Sequence, residues 1–326
     1  MNKVCIVGAG AIGGWLGTRL VVAGHCEVSA LARGATLQAL RTAGWRLSEG
    51  ERELTAPAQA EEDAARLGRQ DLVIIAVKGP AMRQVAAQIA PLIGPHTLLL
   101  PAMNGVPWWF PAATPALAGA PLNSVDPGGE LLRALPLDQV LGCVLHASTT
   151  QPGPGRVRHR MGQGVIVGEP LGGLSARAQC VAQLLAQAGF EAPCSADIRR
   201  ELWYKLWGNL TMNPVSALTG ATVDRILADP ALRAFCSAVM AEAAAIGERL
   251  GCPIEQDAEA RHAVTERLGA FKTSMLQDVE AGRAIEFDNL LGAVHEMALR
   301  LQVPVPQLSA LLGLTRVFAQ QRGLYP

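Results

Sequence analysis

Between Tyr204 and Asn213 the chain reads YKLWGNLTMN, and a helical pitch sets Lys205, Asn209 and Asn213 four residues apart on one face. An amine and two amides stacked in this way have two uses. Together with Glu201 they can be the wet face of an ordinary amphipathic helix, or they can hold a polar ligand against an apolar wall. Spacing alone leaves both open. Asparagine is a poor helix former because its amide competes for backbone hydrogen bonds, so two on one helix ask for a ligand or a buried network.

A reaction that needs such a lysine is suggested at the other end of the chain. Gly8, Ala9, Gly10, Ala11, Ile12 and Gly13 form a GxGxxG directly after the apolar run Val4 to Val7 and at the start of a helical pattern, Ile12 to Ala23. There Gly8 permits the tight turn, Gly10 admits a pyrophosphate to the backbone, and Gly13 lets the helix pack close to the strand. The anion then rests at the helix N-terminus. An NAD site calls for an acid at the end of the second strand, yet CEVSALARG ends on Arg33 with no Asp or Glu beside it. A guanidinium suits a 2′-phosphate, so NADP(H) is the expected cofactor. Lys78 after DLVIIAV and Asn104 after TLLLPAM fall just past two more strands, where ligands gather in an open α/β sheet. Each alone is equally readable as a solvated loop residue, and together they read better as crevice residues.

Hydride transfer to a carbonyl leaves an alkoxide, which must receive a proton or a positive charge. No histidine stands in a suggestive context, so a lysine is the candidate acid. Its ordinary pKa of about 10.4 is high for the task, and burial or a neighbouring cation lowers it. Lys205, with Trp203, Leu206 and Trp207 around it, is placed for partial desolvation.

The elements that must hold these residues follow from the hydrophobic pattern. Val4 to Val7, Cys26 to Leu31, Leu72 to Val77 and Leu98 to Leu100 read as buried strands, with helices after the first and from Pro80 to Gly94. Strand and helix in alternation with short links predict a doubly wound parallel sheet. Gln139 to Glu169 is β-rich around the turn-prone TQPGPGRVRH and is expected to extend that sheet with antiparallel or mixed strands. A helix from Leu174 to Ala188 and a short strand in FEAPCS complete the first domain, residues 1–194. From residue 195 to 326 helical patterns dominate, with Asp229-Pro230 opening a long alanine-rich helix and VPVP separating the last two. The fold class is therefore α/β, a Rossmann-like domain followed by an all-helical one.

At 326 residues with half of them hydrophobic, the chain can build two cores. Basic and acidic residues balance at 28 each, which argues against a nucleic-acid or membrane-surface partner and for a small molecule. Seven scattered cysteines without a CxxC fit a reducing compartment, and the six histidines show no metal spacing. Without a signal-peptide pattern or an apolar run of the roughly 18 residues a span needs, a soluble, cytoplasmic protein is expected.

Taken together, GAGAIG, Arg33, Lys78, Asn104, KLWGNLTMNP and TSMLQDVEAGRAIEFDNL resemble ketopantoate reductase (2-dehydropantoate 2-reductase) over nearly the whole chain. The resemblance implies NADPH-dependent reduction of a small 2-oxo acid, ketopantoate, in pantothenate biosynthesis, in a cleft between the domains, by a homodimer paired through the helical domain. It implies Lys205 as proton donor, Asn209 and Asn213 on the substrate's hydroxyl and carboxylate region, and Ser274 on the carboxylate. Glu286 would reach the cofactor ribose and organise the lysine, Asn104 would touch both cofactor and substrate, and Lys78 would line the cofactor side. From spacing alone Ser274 reads as a helix N-cap and Glu286 as a surface carboxylate. Two features depart from the family. Thr222-Val223 stands where an asparagine is common, and Trp108 and Trp109 follow Asn104, where large rings would reshape the pocket. A relative using the same machinery on another 2-oxo acid, and a non-catalytic NADP-binding sensor, are the alternatives.

Overall fold

Short apolar runs closed by glycine make strands buried on both faces. In the computed structural model, which describes residues 1–326, they form a five-stranded parallel sheet. Its strands are β1 (Lys3–Val7), β2 (Glu27–Leu31), β5 (Gln59–Glu61), β6 (Leu72–Ile75) and β7 (Leu98–Pro101), in the order β5-β2-β1-β6-β7. Val7 pairs with both Leu31 and Ile75, and Ile75 with Pro101, so the carboxyl ends lie level. The chain leaves β1 towards β2 on one side and later crosses to β6 on the other. The strand order therefore reverses beside β1, the place where open α/β sheets bind ligands.

The β-rich stretch does not extend this sheet. A second sheet forms instead, from the antiparallel pair β8 (Gly142–Gly153) and β9 (Arg156–Gly168) with the hairpin β3 (Trp45–Glu49) and β4 (Arg52–Ala56). The hairpin turns at Gly50, whose φ of +61° favours glycine. One edge of β9 is taken by β8, and the other is shared between β3 and the short β10 (Cys194–Ser195). Helix α1 (Ala11–Ala23) keeps the sheets apart and is buried from Gly13 to Leu20 because it packs on both. A Cβ at Gly13 would lie 2.9 Å from Ile6 of β1, and one at Gly14 would lie 2.5 Å from Val157 of β9. At Gly17 it would meet the Trp45 ring of β3 at 2.5 Å. Arg19, also on α1, bonds Glu49 at 2.7 Å, Gln163 at 2.8 Å and the Gly189 carbonyl at 2.9 Å, and lies over Trp15 and Phe190. The nucleotide helix is thus held by packing on both sides and by one guanidinium. Helices α2 (Gly34–Ala43), α3 (Met82–Gln88), α4 (Glu130–Ala134) and α5 (Ala176–Gln187) complete this unit, with Ser175 capping α5.

Two compact units result: Met1–Met103 with Glu130–Glu201, and Asn104–Gly129 with Leu202–Pro326. The expected division after residue 194 thus differs from the observed one, which falls in the first turn of α6 (Ile198–Thr219). It also left out 104–129, which contacts assign to the helical unit. That unit continues with α7 (Val223–Ala228), α8 (Pro230–Arg249), α9 (Ala258–Glu266), α10 (Ser274–Glu280), α11 (Ala293–Arg300) and α12 (Pro306–Gln321). Asp229 caps α8 as its sequence predicts, accepting from the Ala231 and Leu232 amides at 3.0 and 2.9 Å.

Trp108, Trp109 and Phe110 are not exposed rings. They are buried at 0–2% exposure inside the helical unit, with Phe110 stacked on Trp203 at 6.2 Å. Burying one such ring removes about 150–250 Å² from water, roughly 4–6 kcal/mol gross, enough to fold the segment inward. Trp203 and Trp207 likewise do not wall the lysine. Their indole Nε1 groups donate to Ala243 and Met240 carbonyls of α8 at 3.2 and 2.8 Å. Residues two apart on a helix point roughly 200° apart, so Lys205 faces away from both rings.

Candidate functional site

The glycine loop has the form a pyrophosphate requires. Gly8 sits at φ +88° with its amide donating to the Leu31 carbonyl at 3.0 Å, and a side chain there would strike Val77 at 2.6 Å. A Cβ on Gly13 would lie 2.0 Å from the Gly8 carbonyl oxygen, so the helix can approach the strand only as glycine. At Gly10 the nearest atom to such a Cβ is Gln151 Oε1 at 4.0 Å, leaving the backbone open to a ligand. No side chain caps α1 and no acid lies in its first turn, so its leading amides and dipole face outward for an anion. These residues fit a dinucleotide.

Arg33 and Lys78 fall at the same edge. Arg33, exposed, opens α2 just past the end of β2. Lys78 follows β6, the other neighbour of β1, next to the Val77 that touches Gly8. The register also brings an acid to the β2 end that linear reading did not place there. Glu61 of β5 pairs with Leu31. Its carboxylate is already held by Arg41 at 2.7 Å and Arg66 at 3.5 Å, and the Arg33 guanidinium is exposed.

In the helical unit Lys205 Nζ donates to Asn104 Oδ1 at 2.7 Å. The pair joins α6 to the loop that follows β7, with the lysine half-buried. Asn209 and Asn213 stand one and two turns along the same face, Asn209 half-buried and Asn213 only 5% exposed. Neither side-chain amide bonds to another protein group. Neither amide is a sealed, unsatisfied group, so both keep donors and acceptors that a polar ligand can take. The stripe thus runs from half-buried at Lys205 and Asn209 to buried at Asn213 and is not a freely exposed face.

Ser274 is the first residue of α10 and is exposed, while Thr273 supplies the cap by accepting from the Leu276 amide at 3.2 Å. The N-cap reading of Ser274 thus passes to its neighbour. Glu286 is half-buried rather than a surface carboxylate. Its segment is pinned at Ile285, whose amide donates to the Leu324 carbonyl at 3.1 Å, and at Phe287, packed on Tyr325 at 4.6 Å. Burial and the bond to Asp288 push the Tyr325 hydroxyl up to about 12. Thr222 donates its hydroxyl to Asp224 and Val223 is buried at 1%, so neither offers a free polar group.

From sequence, Asn289 stands three residues after Glu286 on a polar helical face, but its contact with Gly105 and Val106 could not be read. Asn289 sits in a π-helical turn at Asp288–Gly292 that leads into α11, and its Nδ2 donates to the Val106 carbonyl at 3.0 Å. Gly105 touches it with φ +76°. Only the adjacency of a glycine to Asn104 could have signalled this.

A glycine loop at the switch point of a parallel sheet, with a lysine–amide pair on a helical unit, defines a nicotinamide-dinucleotide-dependent oxidoreductase. The family described as "Ketopantoate reductase PanE/ApbA" matches residues 4–172, and its C-terminal counterpart matches residues 197–319. A 2-dehydropantoate 2-reductase from Mesorhizobium japonicum is 43% identical over 99% of both chains. A crystal structure of a proposed ketopantoate reductase from Ralstonia solanacearum is 57% identical, covers 99% of each chain and superposes with a TM-score of 0.96. A PanE/ApbA family ketopantoate reductase from Ralstonia eutropha, 27% identical over 98% of this chain and 99% of its own, superposes at 0.84. The chain belongs to the ketopantoate reductase family.

Proposed function

We propose that the protein reduces ketopantoate to pantoate with NADPH, the reductive step of pantothenate biosynthesis. The observation that carries this reading is the Lys205 Nζ to Asn104 Oδ1 bond at 2.7 Å, with Asn209 and Asn213 one and two turns along the same face. When bound, NADPH would supply the hydride for the carbonyl carbon. Lys205 gives its proton to the carbonyl oxygen as negative charge grows there, and Asn104 Oδ1 holds the ammonium in direction while it does so. Asn209 and Asn213 take the substrate's hydroxyl and carboxylate region, Ser274 takes the carboxylate, and Asn104 also touches the cofactor. Gly8 to Gly13 receive the pyrophosphate, Arg33 the 2′-phosphate, Lys78 the cofactor side and Glu286 the ribose while ordering the lysine. The same reading includes a cytoplasmic homodimer paired through its helical unit. Support for the substrate comes from the activity named for the Mesorhizobium relative.

A different 2-oxo acid is the second reading, favoured by Thr222 and Val223, which offer no free donor where the family often has an amide. Loss of NADPH absorbance over a panel of 2-oxo acids including ketopantoate decides between them. Highest kcat/KM with ketopantoate supports the first reading, and turnover of another acid alone supports the second. Binding of NADPH without turnover of any would leave a non-catalytic protein.

A further inference from the structure

We propose that Asn289 is a positioning residue, which fixes the amide of Asn104 that holds Lys205 by clamping Val106 from both sides. The inference rests on the reductase reading above for its effect on rate, though the clamp itself does not.

The clamp consists of two bonds between residues 183 positions apart. The Val106 amide donates to the Asn289 carbonyl at 2.8 Å, and Asn289 Nδ2 donates back to the Val106 carbonyl at 3.0 Å. One buried residue, 6% exposed, thus satisfies both backbone groups of Val106, which fixes the orientation of that residue as well as its place. The contact is close. Gly105 lies between Val106 and Asn104 at φ +76°, and a Cβ on it would stand 2.5 Å from the Asn289 carbonyl oxygen and 2.7 Å from its carbon. The wide turn at Asp288–Gly292 is part of the device. The Ala293 amide reaches back to the Asp288 carbonyl, an offset hydrogen-bonding pattern of the kind that recurs at functional sites.

The far end of the same loop is tied independently. Glu296 of α11 accepts from the Asn123 and Ser124 amides at 2.9 Å each and from the Ser124 hydroxyl at 2.8 Å. With Ser124 anchored there, only the Val106 end stands next to Asn104. Loss of the Asn289 donor frees the Val106 carbonyl, two residues from the group that directs the lysine, and leaves the segment held only by the Val106 amide's bond to the Asn289 carbonyl. A catalytic group displaced by about 1 Å can cost on the order of 10²-fold in rate.

Two variants test this. Asn289→Ala removes the donor, and Asn289→Asp keeps the shape but presents a carboxylate that cannot donate at neutral pH. Both should lower kcat by roughly 10- to 100-fold with the KM for NADPH little changed, beside a lower melting temperature from the unpaired Val106 carbonyl. A loss confined to the melting temperature, with kcat of the folded enzyme intact, would reduce Asn289 to a structural role. The second readout does not depend on turnover: reductive methylation of the full-length protein, with the rate at Lys205 read by peptide mass spectrometry. Asn104→Ala sets the rate for a lysine that lacks this one bond, and both Asn289 variants should approach it. Labelling at the wild-type rate would overturn the proposal. Wild-type protein that turns over no 2-oxo acid would sink the reductase reading and leave the labelling comparison to decide the clamp. Should the alanine variant fail to fold, the isosteric aspartate carries both readouts.

Discussion

Lys205 Nζ and Asn104 Oδ1 meet at 2.7 Å across 101 positions of sequence. The bond orients the ammonium through a neutral amide oxygen, which directs the lysine and itself adds no charge. A hydrogen bond to a charged group is worth about 1.5–3 kcal/mol. Asn104→Ala should therefore lower kcat by roughly 10- to 100-fold, and Lys205→Ala by about 10²- to 10⁴-fold, the range of general-acid catalysis. Steady-state kinetics beside a fluorescence titration of NADPH would check both. Equal losses in cofactor affinity for Lys205→Ala would show that the lysine binds nucleotide rather than supplies a proton.

Three glycines of one loop should fail in different ways. A Cβ at Gly13 would sit 2.0 Å from the Gly8 carbonyl oxygen, so Gly13→Ala must push α1 off β1. Overpacking of this kind costs about 1–3 kcal/mol, read as a lower melting temperature. Gly8→Ala adds a strained φ of +88° to a clash with Val77 and should behave alike. Gly10→Ala meets nothing nearer than 4.0 Å, so its melting temperature should stay at the wild-type value while the dissociation constant for NADPH rises. A destabilised Gly10→Ala would mean that this glycine serves packing instead of the ligand.

On the proposed reading, Arg33 is the residue that sets the cofactor preference. It is exposed past β2, and the nearby acid Glu61 is already occupied by Arg41 and Arg66. Losing a charge-assisted bond of about 1.5–3 kcal/mol should raise the KM for NADPH roughly 10- to 100-fold in Arg33→Ala and leave that for NADH nearly unchanged. Parallel rises for both cofactors would sink the assignment of the 2′-phosphate to this residue.

What could be read from the linear chain was what local physics dictates. The buried run Val4 to Val7, the glycine spacing after it and the cap at Asp229 each carry their own signal, and each element formed where the pattern set it. The hairpin at Trp45–Ala56 was illegible because only one of its faces is well buried, with Trp45 and Leu47 inward, while WRLSEGERELTA is polar through most of its length. The segment 104–129 joined the helical unit through its own aromatic residues, and neither periodicity nor capping announces such a choice. The same limit applied to the site. The stripe at Lys205, Asn209 and Asn213 is a repeat on one helix and could be found, whereas its partner Asn104 and the clamp by Asn289 are contacts between distant segments. Burial on α6 also reversed an expectation, because helix phase turns Trp203 and Trp207 towards α8 instead of the lysine.

Acid stability should depend on Glu169, just beyond β9. Its carboxylate accepts from Arg177 Nε at 2.7 Å and Nη2 at 2.6 Å and from the Ser175 hydroxyl that also caps α5. The Arg177 hydrogen bond, helped by Ser175 and opposed by partial burial, holds the carboxyl below the usual range. The folded state then binds a proton less readily than the unfolded chain, whose glutamate titrates near about 4.3. Between those two values the unfolded chain holds more protons, so stability rises with pH there. The contribution is fully present above the unfolded value and is lost as pH falls through the folded one. Glu169→Gln should therefore melt lower than the wild type near pH 7, and the two melting curves should converge as the pH falls below about 4. Arg177 also donates to the Val140 carbonyl at 3.4 Å, so the protonated site would loosen the approach to β8 together with the start of α5. Parallel curves that keep their separation into acid would show that the pair stabilises through packing of the arginine stem and not through the ionised carboxylate.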